Sequence, residues 1–278
     1  MKKERTSASG RGCPNPIGVF DSGLGGLTVV RELRRLLPTE KIIYFGDLAR
    51  LPYGNKSRSQ ILNYSIQNTL FLLKHRVKAV VVACNSSSSV AYRFLKRHFD
   101  LPIFDVIQPA VEEAVRLGGK EPVGVIATKA TIHSGSYENE LKRLCPGLRI
   151  RTQVCPLFVP LVEEGWLDHP ITRDVVRLYL EKMKRAGIKS LILGCTHYPL
   201  LRRGIRSYLG SRVRLIDSAA PTARKLKTVL TERGLLARRP GTGELQIFVS
   251  DLSSNFRRVG ERFLGEKLRG VRIARSFE

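Results

Sequence analysis

This chain of 278 residues is poor in sulfur and in rings, with five cysteines, two methionines, one tryptophan and an aromatic content of 7%. Cys13, Cys84, Cys145, Cys155 and Cys195 are odd in number and widely spaced, and neither C-x-x-C nor a zinc-type Cys/His spacing occurs. That pattern argues against a disulfide framework and against a metal site, and it suits a reducing cytoplasm. No apolar run reaches the roughly 20 residues of a membrane-spanning helix. Residues 1–14 are charged and small, with no apolar segment behind them, so they read as a disordered basic tail and not as a secretory signal. Acidic residues are also scarce: 24 against 48 Lys and Arg, a net charge of +24. Such a field attracts polyanions, so non-specific nucleic-acid binding stays open as a second activity, and a homodimer stays open as an assembly. The basic residues are spread along the chain, however, and no RNA-stacking motif accompanies them.

What the chain does have is a repeated plan. Residues 78–89 (Lys-Ala-Val-Val-Val-Ala-Cys-Asn-Ser-Ser-Ser-Ser) and 189–198 (Lys-Ser-Leu-Ile-Leu-Gly-Cys-Thr-His-Tyr) each run apolar to a small residue, a cysteine and a hydrogen-bonding residue. Short continuous runs of Val, Ile and Leu read as strands buried on both faces of a parallel sheet. Cys84 and Cys195 then stand at carboxyl ends of strands, where open α/β sheets bind their ligands.

In chain order, residues 16–20 form a strand, 21–27 a glycine loop and 28–37 a helix. The loop is G-x-G-G, with Thr28 where a dinucleotide fingerprint needs its third glycine, and no G-K-[ST] follows. A nucleotide role is disfavoured, and the loop is expected to bring backbone close to a small ligand with Asp21 and Ser22 aimed into the site. Strands follow at 41–45, 101–105, 122–127, 148–155, 212–216 and 245–250, the last returning beside the first domain. Helices follow at 57–74, 86–97 (capped by Asn85 or Ser86), 108–118, 158–165, 171–186, 217–230 and 255–264. A turn at 51–54 holds Tyr53 near the strand ends, and Thr128 and Thr131 end the 122–127 strand. The alternation predicts an α/β protein of two similar domains, each a mostly parallel sheet flanked by helices, with the active site in the cleft between them. The expected divisions are 15–110 plus 222–278 (carrying Asp21 and Cys84) and 111–221 (carrying Glu163, Cys195 and His197).

Two thiols facing one small α-amino acid suit inversion at its α-carbon. One base can only return a proton to the face it came from, whereas two groups on opposite faces can exchange it. A thiol titrates near neutrality and can serve as either acid or base. Two adjacent thiolates repel, so one thiolate and one thiol is the expected resting pair. His197, two residues past Cys195, and Asp21, beside Cys84, are the candidate tuning groups, with Glu163 supporting His197.

Asp21-Ser-Gly-Leu-Gly-Gly-Leu27, Tyr44-Phe-Gly-Asp47, Pro52-Tyr-Gly54, Ala83-Cys-Asn85, residues 156–163 (Pro-Leu-Phe-Val-Pro-Leu-Val-Glu) and residues 193–201 (Leu-Gly-Cys-Thr-His-Tyr-Pro-Leu-Leu) together resemble glutamate racemase. The resemblance covers residues 16 to 265. It implies two similar α/β domains around a buried cleft and interconversion of L- and D-glutamate without cofactor or metal, supplying D-glutamate for bacterial peptidoglycan. It further implies Cys84 for the proton on the D-face and Cys195 for that on the L-face, with Asp21, Glu163 and His197 assisting. Substrate contacts would come from Ser22, Pro52, Tyr53, Gly54, Asn85, Ser86, Thr128 and Thr196. The chain departs from the resemblance in three ways: Ser86-Ser87-Ser88 stands where Thr-Ala-Ser is usual, Gln108 stands where glutamate is usual, and the family does not require the +24 charge. The alternatives are a racemase of aspartate or another acidic amino acid, a nucleic-acid-binding protein on a racemase scaffold, and a cysteine hydrolase using one thiol with a histidine.

Overall fold

The computed structural model describes residues 13–237, 241–252 and 255–274. Residues 1–12 of the expected tail and part of the 238–243 loop lie outside the described residues. Cys13, by contrast, is anchored: the buried Lys78 Nζ donates to its carbonyl at 2.9 Å and to that of Leu235 at 2.7 Å, and pairs with Glu40 at 2.6 Å. This buried pair stitches the start of the described chain to the underside of the first sheet, and removing either partner would strand a charge in the core.

The first half of the chain reads β1 (Ile17–Asp21), α1 (Leu27–Leu36), β2 (Ile42–Gly46), α2 (Arg58–Lys74), β3 (Ala79–Val82), α3 (Asn85–His98), β4 (Ile103–Phe104) and α4 (Ile107–Gly118). The second continues β5 (Val123–Ala127), α5 (Lys129–His133), α6 (Ser136–Leu144), β6 (Ile150–Val154), α7 (Phe158–Glu163), α8 (Pro170–Arg185), β7 (Ser190–Gly194), α9 (Arg202–Leu209) and β8 (Arg214–Asp217). The chain then returns through α10 (Ala219–Glu232), β9 (Leu245–Val249), α11 (Phe256–Leu264) and β10 (Val271–Ile273). Local chemistry sets several of these boundaries. Helix α2, for instance, begins with a capping box, in which Ser57 Oγ accepts from the Gln60 N–H and Gln60 Oε1 accepts from the Ser57 N–H.

The strands form two parallel sheets, ordered β10-β9-β2-β1-β3-β4 and β6-β5-β7-β8. Within them, β2-β1-β3-β4 and β6-β5-β7-β8 follow the same order, so the repeat seen in the sequence is a repeat of topology. All residues of β1, β3, β5 and β7 are buried, as central parallel strands covered on both faces should be. The edge strand β6, with polar Arg151, Thr152 and Gln153, is only partly covered. Strand β10 pairs with β9 beyond the helix that the sequence alone marks as the end of the fold.

The junctions expected at 110/111 and 221/222 both fall inside helices. Helix α4 is continuous from Ile107 and packs on β7, β8 and α6, whereas α10 packs on α1 and on α4. One apolar core runs unbroken from Val19 and Leu33 on the first sheet to Phe158, Leu193 and Tyr198 on the second. The carboxyl ends of the two sheets are thereby fixed against each other.

Candidate active site

In each sheet the chain reverses direction of growth at one place, between β1 and β3 and between β5 and β7, and ligands bind at such switch points. Ser22, Thr128 and Cys195 directly follow β1, β5 and β7, and Cys84 stands two residues past the end of β3. The sequence therefore places its two cysteine strands at equivalent positions of two sheets, and both thiols line one cavity.

On the first-sheet side, Asp21 ends β1 fully buried, and its Oδ2 accepts from the N–H groups of Gly23 and Gly26 at 3.2 and 3.1 Å. Its Oδ1 has no partner among the described residues. Burial raises the Asp21 carboxyl above its ordinary range, while the charge of His197 and the loop N–H groups pull the other way. Cys84 follows β3 and occupies the N-cap position of α3, which corrects the expectation that Asn85 or Ser86 caps this helix. Both of those side chains are committed elsewhere. The Cys84 thiol donates to Ser22 Oγ at 3.5 Å. Burial, and then the Asp21 carboxylate, push this thiol up to about 12.

On the second-sheet side, Cys195 directly follows β7, and its Sγ lies 4.0 Å from His197 Nδ1. The other ring nitrogen, Nε2, donates to Glu163 Oε1 at 2.5 Å from the end of α7. Burial disfavours the imidazolium, but Cys195 and Glu163 outweigh it and hold His197 at about 10. Phe263 of α11 stacks edge-on against the imidazole.

The G-x-G-G loop turns out to serve the joint between the lobes. A Cβ on Gly25 would lie 2.2 Å from Thr196 Oγ1 and 2.7 Å from His197 Nδ1, and one on Gly26 would lie 2.6 Å from Asp21 Cβ. The close approach that Gly25 permits is made, among the described residues, by the Thr196-His197 segment.

The cavity is lined by Ser22, Leu51, Pro52, Tyr53, Gly54, Cys84, Asn85, Ser86, Thr128, Val159, Cys195, Thr196 and His197. Asp21 and Glu163 stand behind this lining, each one contact removed. Tyr53 shows the cavity its ring, since its hydroxyl is spent on Asp47 and on Asn68. Asn85 Oδ1 accepts from the Tyr137 hydroxyl at 2.7 Å, leaving its Nδ2 a buried donor without a partner among the described residues. The hydroxyls of Ser86, Thr128 and Thr131 lie within 3.0 to 3.5 Å of one another. A Cβ on Gly54 would strike Thr128 at 2.6 Å, so the turn after Pro52 also closes against the second lobe.

Sequence reasoning did not single out Leu51, Val159, Tyr137 or Phe263. The first two are ordinary apolar residues, and the others act through contacts between distant parts of the chain. Among the described residues no group of three or more His, Cys, Asp or Glu side chains is placed to hold a metal ion, and no helix is long and apolar enough to cross a membrane.

The arrangement is one cavity flanked by two thiols, one backed by a carboxylate and the other by a histidine–glutamate pair. Residues 17–226 match the Asp/Glu/hydantoin racemase family. The chain is 45% identical to a glutamate racemase of Geobacter metallireducens over 255 residues, 92% of this chain and 94% of that protein. Its fold matches the crystal structure of glutamate racemase from Francisella tularensis in complex with D-glutamate, with a TM-score of 0.88 and 40% identity over 94% of this chain and 97% of that one. It also matches the Thermus thermophilus glutamate racemase in complex with β-chloro-D-alanine, with a TM-score of 0.85 and 43% identity over 95% and 98% of the two chains. In sequence and in topology, this chain belongs to the Asp/Glu/hydantoin racemase family and is an isomerase.

Proposed function

We propose that the protein interconverts L- and D-glutamate by passing the α-proton between Cys84 and Cys195, in a reaction that needs no cofactor. The observation that carries this reading is the convergence of two thiols, from equivalent strand ends of two separate sheets, on one small cavity. With L-glutamate bound, Cys195 as thiolate removes the α-proton while the Cys84 thiol donates its own to the opposite face; D-glutamate reverses the roles. A buried thiol pushed up to about 12 suits Cys84 as the proton donor of the first direction. His197, held cationic by Glu163, offers the Cys195 sulfur a positive neighbour 4.0 Å away. Asp21 answers it on the Cys84 side.

The unpaired Asn85 Nδ2, the Ser86 and Thr128 hydroxyls, Ser22 and Thr196 supply polar contacts for carboxylate and ammonium groups. Pro52, Tyr53 and Gly54 close the wall. Glutamate as substrate is supported by the glutamate racemases that the chain resembles over more than nine-tenths of its length. The same bacterial relatives support a cytoplasmic role in supplying D-glutamate for peptidoglycan.

The test is incubation of the purified protein with L-glutamate in deuterium oxide, without additions. Circular dichroism should decay to zero while deuterium enters the α-position, and D-glutamate should behave as the mirror image. Decay with aspartate and not with glutamate would overturn the substrate assignment. Exchange without loss of optical activity would overturn the two-base scheme.

A further inference from the structure

The run Ser86-Ser87-Ser88-Ser89 opens helix α3 immediately after Cys84, and three of its four hydroxyls have partners. Ser86 Oγ is 3.0 Å from Thr128 Oγ1, Ser88 Oγ donates to the Val82 carbonyl at 2.8 Å, and Ser89 Oγ donates to the Ser86 carbonyl at 2.9 Å. Ser87 is the exception. Its side chain is completely buried, and its Oγ has no hydrogen-bond partner among the described residues. A buried hydroxyl left unpaired is destabilising relative to a methyl group, and such an exception calls for an explanation. Alanine, the residue usual here by the resemblance drawn from the sequence, would fill the place without that penalty.

Position explains it. Cys84 is the N-cap of α3, so Ser87 is the third residue of the helix, and at an N-terminus the amide of that residue faces the N-cap side chain. As a thiol, Cys84 gives its hydrogen to Ser22 and makes no capping bond. As a thiolate it becomes an acceptor without a hydrogen of its own. Burial and the Asp21 carboxylate oppose that thiolate; Ser22 favours it, followed by the backbone N–H and then the hydroxyl of Ser87. We propose that Ser87 is a further catalytic residue, whose hydroxyl stands unpaired in the resting site and donates to the Cys84 sulfur when turnover makes it a thiolate. The unpaired state of the resting site is then the counterpart of a bond made only after the proton has left Cys84, the kind of interaction that raises turnover without tightening substrate binding. The inference rests on the two-thiol reading of the site, yet the ionisation of Cys84 can be measured without any racemisation.

The experiment compares Ser87→Ala with the parent protein, both carrying Cys195→Ser, by following iodoacetamide alkylation of Cys84 against pH with the modified peptide identified by mass spectrometry. Loss of one hydrogen bond to a thiolate should slow alkylation at a fixed alkaline pH about three- to tenfold, moving the midpoint upward by roughly half to one pH unit. With Cys195 restored, Ser87→Ala should lower kcat by about the same factor and leave KM unchanged. Its melting temperature should equal or exceed that of the parent, because only an unpaired group has been removed. An unchanged alkylation profile would overturn the proposal, and so would a clearly lowered melting temperature, which would show that the hydroxyl already has a structural partner. If the parent fails to racemise glutamate, the alkylation comparison still decides the role of Ser87.

Discussion

The imidazole of His197 meets the ring of Phe263 edge to face, with centroids 5.0 Å apart and planes at 72°. His197 follows the third strand of the second sheet, whereas Phe263 lies on α11, which packs on α1 of the first lobe. The last helix of the fold therefore backs the histidine beside Cys195, and it fixes which way Nδ1 and Nε2 point. Phe263→Leu keeps the site apolar but removes the flat edge. The expected cost is about 1–2 kcal/mol in denaturant unfolding. Because catalytic alignment is sensitive to small displacements, kcat should fall about three- to tenfold with KM little changed. An effect on stability alone would show that the ring only fills space.

Replacing either thiol tests the pairing itself. Cys84→Ser and Cys195→Ser each exchange a thiol for a hydroxyl, which gives up its proton far less readily, in sites only 5% and 8% exposed. Each should reduce racemisation by about 10²–10⁴-fold, the range of a general acid or base. Unfolding midpoints should stay near that of the parent, since the two side chains are almost the same size. Near-normal turnover in either variant would remove that cysteine from the reaction.

Much of this site is legible in the sequence because buried parallel strands announce themselves as uninterrupted apolar runs. Residues 79–82 and 190–194 are read directly, and the cysteines at their ends follow. The supporting contacts are less legible, because they join residues far apart in the chain. Asn85 is a residue type that caps helices, yet Tyr137 takes its carbonyl oxygen and the N-cap position falls to Cys84, whose side chain makes no capping bond. Strand β10 is three residues long with two exposed, and only pairing with β9 makes it a strand. The glycines of the first loop advertise close approach without saying of what. Phe263 is one of eleven phenylalanines, with nothing local to mark it.

The His197–Glu163 pair carries a pH signature of definite sign. His197 titrates at about 10 in the folded protein, against an ordinary 6.5, because Cys195 and Glu163 outweigh burial. A proton held more tightly by the native state stabilises it fully below pH 6.5, and that contribution drains away as pH rises towards 10. Glu163→Gln removes one source of the shift. The variant should lose about 1–3 kcal/mol at pH 6 and less at pH 10, so its stability should fall less steeply across this window. Other groups that titrate there are common to both proteins and cancel in the difference. Equal slopes in urea unfolding at pH 6 and pH 10 would show that the pair does not hold the proton.

Gly25→Ala isolates the joint between the lobes. The added Cβ would fall 2.2 Å from Thr196 Oγ1 and 2.7 Å from His197 Nδ1, contacts that real structures do not sustain. Gly25 does not adopt a positive φ, so the backbone tolerates alanine and the conflict is purely one of space. It can be relieved by moving the Thr196-His197 segment, which lines the cavity, or by parting the two lobes. Either movement separates His197 from Cys195 or Cys195 from Cys84. The variant should fold, with a stability loss of about 1–3 kcal/mol from overpacking, while kcat/KM falls at least about 100-fold. Gly119→Ala is the control: it replaces a positive-φ glycine with no neighbour within 4 Å, so it strains the backbone without touching the site. If the two variants lose activity equally, the loss reflects general destabilisation; if only Gly25→Ala does, the glycine loop is what lets the two halves of the active site meet.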